Sequence, residues 1–329
     1  RLAEDTVWAE KGHEVAFVQE VFVVEEKDPC ARKTESPTDM RIAEGNCCIG
    51  VYGENFSMMF DLRMGGICSL IYDGIEYVSR IPRISFWRAK TDNDCGADYP
   101  FEAAQWAIAG EYARHCGDLF RQERGEESIK LYFTYETPSY PSFSYIVSYE
   151  AYADGSLLIR VEYPGVSGLP DMPVFALDWQ MGKELQHFTY YGMGPEENYC
   201  DRAEGARLGK FASTVWDNFS GYLNPQECGN RTGVRYVELR DDEGSGVRLS
   251  SVGESFEMSI LPYSAAELEH AGCREELGPQ RYTWVRVAAA QMGVGGDDSW
   301  GAPVHDEYRL PAEQPRTLAF AIKALQRAE

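Results

Sequence analysis

The chain has 329 residues, 44% of them hydrophobic and 26% charged, enough for one large β domain or two domains of ordinary size. Its 53 acidic against 31 basic residues give a formal charge of −22, a field that repels phosphate backbones and anionic lipid. Nucleic acid and membranes are thereby excluded as expected partners. Aromatic residues reach 13%, which favours pleated sheets, where large rings pack well, before it favours any ligand.

In chain order, the first residue is Arg1, not Met, and strand-like sequence follows at once, so a fragment or processed chain is expected. Residues 13–24 read as one or two strands without neighbours, and 1–28 as the end of a preceding β domain. Residues 29–43 are polar, contain Pro29 and Pro37, and read as a linker. The main domain is expected over 44–329.

Residues 55–78 predict a three-strand meander with turns at Gly65-Gly66 and Asp73-Gly74. Residues 142–153 and 156–163 flank Asp154-Gly155, the clearest hairpin signal in the chain. Further strands are predicted at 234–240, 246–250, 257–261, 282–289 and 317–325. Two short helices are predicted, at 103–109 and 265–271. The fold class is all-β, an antiparallel sandwich with long loops. Nine cysteines, an odd number with no Cys-x-x-Cys pair, read as scattered reduced thiols in a cytoplasmic protein.

A glycosidase of the retaining kind needs two carboxylates about 5 Å apart. The candidate pairs are Asp92/Asp94, Glu196/Glu197 and Asp297/Asp298. Adjacent residues of a strand face opposite ways, and acidic residues beside glycines are usually turn formers. The chain alone therefore presents no hydrolase site. The five histidines, at 13, 115, 187, 270 and 305, have no metal-ligand spacing.

Three segments stand apart: 86–96 (FWRAKTDNDCG), 190–202 (YYGMGPEENYCDR) and 292–300 (MGVGGDDSW). Each joins glycines, which permit close backbone approach, to Asp, Asn or Glu and an aromatic ring. These are the ingredients of a polar sugar site and equally of rigid loop corners, and both readings stand.

The same segments resemble the C-terminal region of the bacterial β-galactosidases of glycoside hydrolase family 2. GMGPEENYCDR is similar to that family's GxGPxENYxDR stretch, MGVGGDDSW to MGxGGDDSW, and RAKTDNDCG to its RAxxDND-G turn. Residues 8–19 are similar to the close of the preceding immunoglobulin-like domain. The resemblance implies a large two-sheet super-sandwich like that of galactose mutarotases. It implies hydrolysis of terminal β-D-galactosyl bonds with retention by the full-length protein, a homo-oligomer. The catalytic carboxylates and the magnesium and sodium sites are implied to lie on a TIM barrel absent from this chain, so this region is expected to hold neither catalytic residues nor a metal. Its expected contributions are Trp300, stacking on the galactoside with Asp298 and Ser299 beside it, and a loop carrying Asp94 that opens at Gly96 and runs to about Ala103. The rival readings are an independent carbohydrate-binding module and a mutarotase-like epimerase.

Overall fold

The computed structural model describes residues 1–20, 22, 40–298 and 300–325. Five short strands come first: β1 (Arg41–Glu44), β2 (Cys48–Tyr52), β3 (Phe56–Asp61), β4 (Ile67–Tyr72) and β5 (Ile75–Glu76). They pair in sequence order as one antiparallel sheet. β1 takes up the last three residues of the expected linker, 41–43, because residues 41–44 find a ladder partner in β2; residues 29–39 of that linker lie outside the described residues.

β6 (Arg80–Ser85) leads to three helices, α1 (Asp92–Gly96), α2 (Tyr99–Glu102) and α3 (Ala104–Glu111). Next come β7 (Arg114–His115), β8 (Arg121–Arg124), β9 (Ser128–Glu136), β10 (Ser144–Tyr152) and β11 (Leu157–Tyr163). After them run β12 (Val174–Gly182), β13 (His187–Gly194), β14 (Arg207–Thr214), β15 (Arg231–Val234), β16 (Tyr236–Arg240), β17 (Gly246–Ser251) and β18 (Phe256–Leu261). The chain closes with α4 (Ala265–His270), β19 (Tyr282–Gln291) and β20 (Arg316–Leu325).

One ten-stranded sheet has the order β14-β13-β16-β17-β20-β11-β10-β9-β7, with β8 also on β9. Alternation explains it: Ile129, Leu131 and Phe133 of β9, and Leu157, Ile159 and Val161 of β11, all point to the buried face. The opposing layer is divided between the β1–β5 sheet and a second five-stranded sheet, β15-β18-β19-β12-β6. Phe60 of β3 meets Tyr149 of β10 at 5.6 Å, and Phe256 of β18 meets Phe320 of β20 at 6.4 Å. Both small sheets thus share one apolar core with the large one. The expected all-β sandwich is the fold observed.

Residues 1–20 form no strand, although strands were expected from residue 13. Instead this segment leans on the outer edge of β14. The Gln19 side-chain amide donates to the Leu208 carbonyl at 2.8 Å and accepts from the Leu208 N–H at 2.7 Å. Glu14 pairs with Arg207, whose guanidinium also stands 4.1 Å from the Phe17 ring centroid. No helix among the described residues is long and apolar enough to cross a membrane.

Candidate functional site

The first of the three segments leaves β6 through Phe86, which is fully buried. Its ring packs on Trp106 of α3 at 5.5 Å, on Phe143 at 5.6 Å and on Tyr145 at 5.7 Å. That anchor fixes where Arg88 enters the space below the loops. Arg88 is 1% exposed and grips Asp94 with two bonds, Nη2 to Oδ1 at 2.8 Å and Nε to Oδ2 at 3.2 Å. It also donates to the carbonyls of Met292 at 2.5 Å and Gly293 at 2.8 Å, so one side chain ties the first segment to the third. Burial opposes its charge, but the Asp94 carboxylate prevails and raises the Arg88 pKa. Asp94 doubles as a helix cap: Asp94 N–H donates to Thr91 Oγ1, and Thr91 N–H donates to Asp94 Oδ2, both at 3.0 Å.

The second segment is tied to the third by Asp201. Its Oδ2 accepts from the N–H groups of Val294 at 2.8 Å and Gly295 at 2.7 Å. A Cβ on Gly293 would lie 2.6 Å from that oxygen, so only glycine permits the approach. Within the second segment Glu197 is a hub. It accepts from Gly229 N–H at 2.7 Å, Tyr222 hydroxyl at 2.7 Å, Ser220 hydroxyl at 2.9 Å and Arg202 at 2.5 Å. Burial pushes its pKa up, yet these donors together hold it below the ordinary glutamate value. Asn198 Oδ1 accepts from Thr232 N–H at 2.9 Å and hydroxyl at 2.6 Å, pinning the segment to β15.

The third segment ends in a turn made by Asp298, whose Oδ1 accepts from Trp300 N–H at 2.8 Å. Asp297 pairs with His305 Nε2 at 2.8 Å. Gly301 has φ +127°, and a Cβ there would stand 2.6 Å from the Gly96 carbonyl oxygen. The Trp300 loop therefore rests directly on the end of α1. Trp300 itself is 89% exposed, whereas Trp106 and Trp179 lie in the core.

A cleft of about 330 Å³ opens where the three segments meet, bordered by Thr91, Asp92, Tyr199, Asp201, Arg202 and Glu227. Its carboxylates are held, Asp92 by Gln226, Asp201 by two amides on Oδ2 and Glu227 by Arg286 on Oε2 at 3.5 Å. Asp201 Oδ1 and Glu227 Oε1 are buried without a hydrogen-bond partner among the described residues. Chemically the arrangement is a rigid polar platform that presents an indole.

The structure brings all three segments together, with Trp300, Asp298 and Gly96 on one side; Ser299 lies outside the described residues. Asp94 is not on an open loop. It is 4% exposed inside α1, and residues 99–102 form α2, so the stretch expected as a loop is largely helical. The cause is the Thr91–Asp94 cap together with the Arg88 fork. Glu197 was singled out only as half of a candidate carboxylate pair, whereas the structure makes it a hydrogen-bond hub; Arg88 and Asp201 were not singled out. Their partners lie up to 205 residues away, and only their place beside glycines hints at them.

The family described as "Beta galactosidase small chain" matches residues 52–322. A β-galactosidase from Halalkalibacterium halodurans is 43% identical over 324 residues, 98% of this chain and 32% of that protein. The chain thus spans about a third of that relative's length. A β-galactosidase small subunit from Latilactobacillus sakei is 32% identical over 320 residues, 87% of this chain and 98% of that protein. Among solved structures, a galactose 1-epimerase from Lactobacillus acidophilus aligns with 88% of this chain and 99% of its own, at 11% identity and a TM-score of 0.44. The segments that meet at the cleft lie within the matched span, and the chain belongs to the β-galactosidase small-chain family.

Proposed function

We propose that this chain completes the sugar site of a family 2 β-galactosidase whose two catalytic carboxylates lie on the remaining two thirds of the enzyme. That remainder either precedes this chain in one polypeptide or forms a separate large subunit, and the chemistry asked of this chain is the same. The barrel-bearing part would hold magnesium and sodium and carry out retaining hydrolysis of terminal β-D-galactosides. The assembled enzyme would be a cytoplasmic homo-oligomer. In this reading residues 1–28 close a preceding immunoglobulin-like domain, and 44–329 form the terminal one.

The observation that carries the proposal is the exposure of Trp300 on a loop held from beneath. An indole left in water forgoes a burial gain of roughly 1.5–3 kcal/mol, comparable to that of other large apolar side chains. Arg88 and Asp201 fix the backbone behind it, so the ring is offered at low entropic cost to the C–H face of a galactosyl group. The epimerase alternative asks for a positioned acid and base, and three of the histidines are engaged elsewhere. His187 is on Asp242, His305 on Asp297 and His270 on the Ala266 carbonyl.

The test joins the chain to its carboxylate-bearing remainder and measures turnover of a chromogenic β-galactoside. The isolated chain is expected to be inactive. In the assembled enzyme Trp300→Ala should weaken a galactose analogue by about 1–3 kcal/mol, the range for losing an aromatic anchor in a pocket, with unchanged melting of the isolated chain. Turnover by the isolated chain, or unchanged analogue affinity with a lower melting temperature, would overturn the reading.

A further inference from the structure

A second concavity, of about 300 Å³, shares no lining residue with the first and lies between β6, the end of α3, β7 and the inner strands β9 and β10. Its walls differ from the rest of the molecule. In a chain of charge −22, no acidic residue is among those that line it, and three arginines are: Arg63, Arg83 and Arg114. Among the described residues none of the three has a carboxylate partner. The only described side-chain bond of Arg83 runs from Nη1 to the Glu111 carbonyl at 3.1 Å, which leaves most of its donors free. Asp61 stands near but does not line the cleft, and its Oδ1 accepts from the N–H groups of Arg63 and Met64 at 2.7 and 2.8 Å.

The deep wall is aromatic. Tyr135 and Tyr145 stack with centroids 5.1 Å apart and planes 6° from parallel. Neither hydroxyl has a hydrogen-bond partner among the described residues. The charge of Arg83 reaches both phenols, lowering their pKa values against the larger upward effect of burial. His115, across the ladder from Tyr135, engages the Thr134 carbonyl through Nδ1 at 3.0 Å.

We propose that this cleft binds a sugar-sized organic anion, its phosphate or carboxylate held by Arg83 and Arg63 and its body set against the Tyr135–Tyr145 wall. The planar guanidinium fork matches both kinds of oxyanion, and the free phenol hydroxyls supply further donors. The volume suits a monosaccharide derivative and leaves little room for anything larger. Such a site, lined by neither Trp300 nor any residue of the first cleft, would let an anionic sugar bind without competing for the galactoside position, and it stands whether or not the chain completes a galactosidase.

Calorimetric titration of the chain with galactose 6-phosphate, galacturonate, inorganic phosphate and neutral galactose tests it. Saturable binding of one or both sugar anions is expected, about tenfold or more tighter than neutral galactose, as befits a charge-assisted bond. The two sugar anions separate a phosphate from a carboxylate ligand. Arg83→Met and Arg63→Gln should each weaken binding about tenfold. Their melting temperatures should stay at the wild-type value, since neither residue is in the core. Three outcomes overturn the proposal: no saturation at millimolar concentrations, affinity unchanged in both variants, or inorganic phosphate bound as tightly as the sugar anions, an adventitious ion only.

Discussion

The guanidinium of Arg88 sits at 1% exposure against a carboxylate at 4%, and both are surrounded by backbone carbonyls and amides. Removing the cation leaves Asp94 charged, buried and unpaired, and breaking a buried pair in that way typically costs about 3–5 kcal/mol. Arg88→Met is therefore expected to lower stability by about that amount, read from urea unfolding. A loss below about 1 kcal/mol would show that Asp94 has found other donors. His305 carries a milder electrostatic device. The hydrogen bond that its Nε2–H donates to the Asp297 carboxylate, and next the charge of that carboxylate, raise the imidazole pKa above its ordinary value. The raised value means that the paired, protonated form prevails at lower pH and is lost as pH rises through the His305 pKa of the folded chain. An NMR titration should place His305 above a free imidazole, and Asp297→Asn should bring it down. An unchanged midpoint in the variant would remove Asp297 as the cause.

At the scale of elements, what the sequence showed plainly was whatever short-range chemistry decides. Asp73-Gly74 joins β4 to β5 and Asp154-Gly155 joins β10 to β11, as the turn dipeptides predict. The two predicted helices are α3 and α4, the second opened by a Ser264–Glu267 capping box. β9 and β12, whose ends carry no such dipeptide, were not predicted. α1 was read as a loop because its five residues have no apolar period; it is held by Arg88 and Thr91 instead. The same limit applies to the site. The exposed, loop-end position of Trp300 follows from its polar glycine-rich approach, whereas the Arg88–Gly293 and Asp201–Gly295 ties join residues far apart in the chain and leave no local pattern. Gly301 tests how closely the two loops depend on one another. Alanine there meets both an unfavourable φ and the Gly96 carbonyl, so Gly301→Ala is expected to cost about 1–3 kcal/mol. Amide exchange should accelerate at residues 93–98 as well as in the Trp300 loop. Acceleration confined to the Trp300 loop would mean that α1 stands without it.

On the scale of the whole molecule, one apolar core runs under three sheets, which is why segments at residues 88, 201 and 292–295 can be held to one another by two pairs of hydrogen bonds. A sheet of ten strands that does not close into a barrel must end somewhere, and β14 is one of its ends. An open end of this kind is a template on which another copy of the chain can add a strand, the first step of fibril-like growth. Gln19 occupies the outward N–H and C=O of Leu208 as a passing strand would, without offering the next chain a ladder of its own. Gln19→Ala is accordingly expected to leave the melting temperature within about 2 °C, since one side-chain-to-backbone pair contributes only about 1 kcal/mol. Light scattering in the warm, concentrated protein should nonetheless rise faster than in the wild type, and equal rates would show that the edge is guarded by something else. On that expectation one amide side chain is a stopper against self-assembly, a task quite separate from the sugar site proposed above.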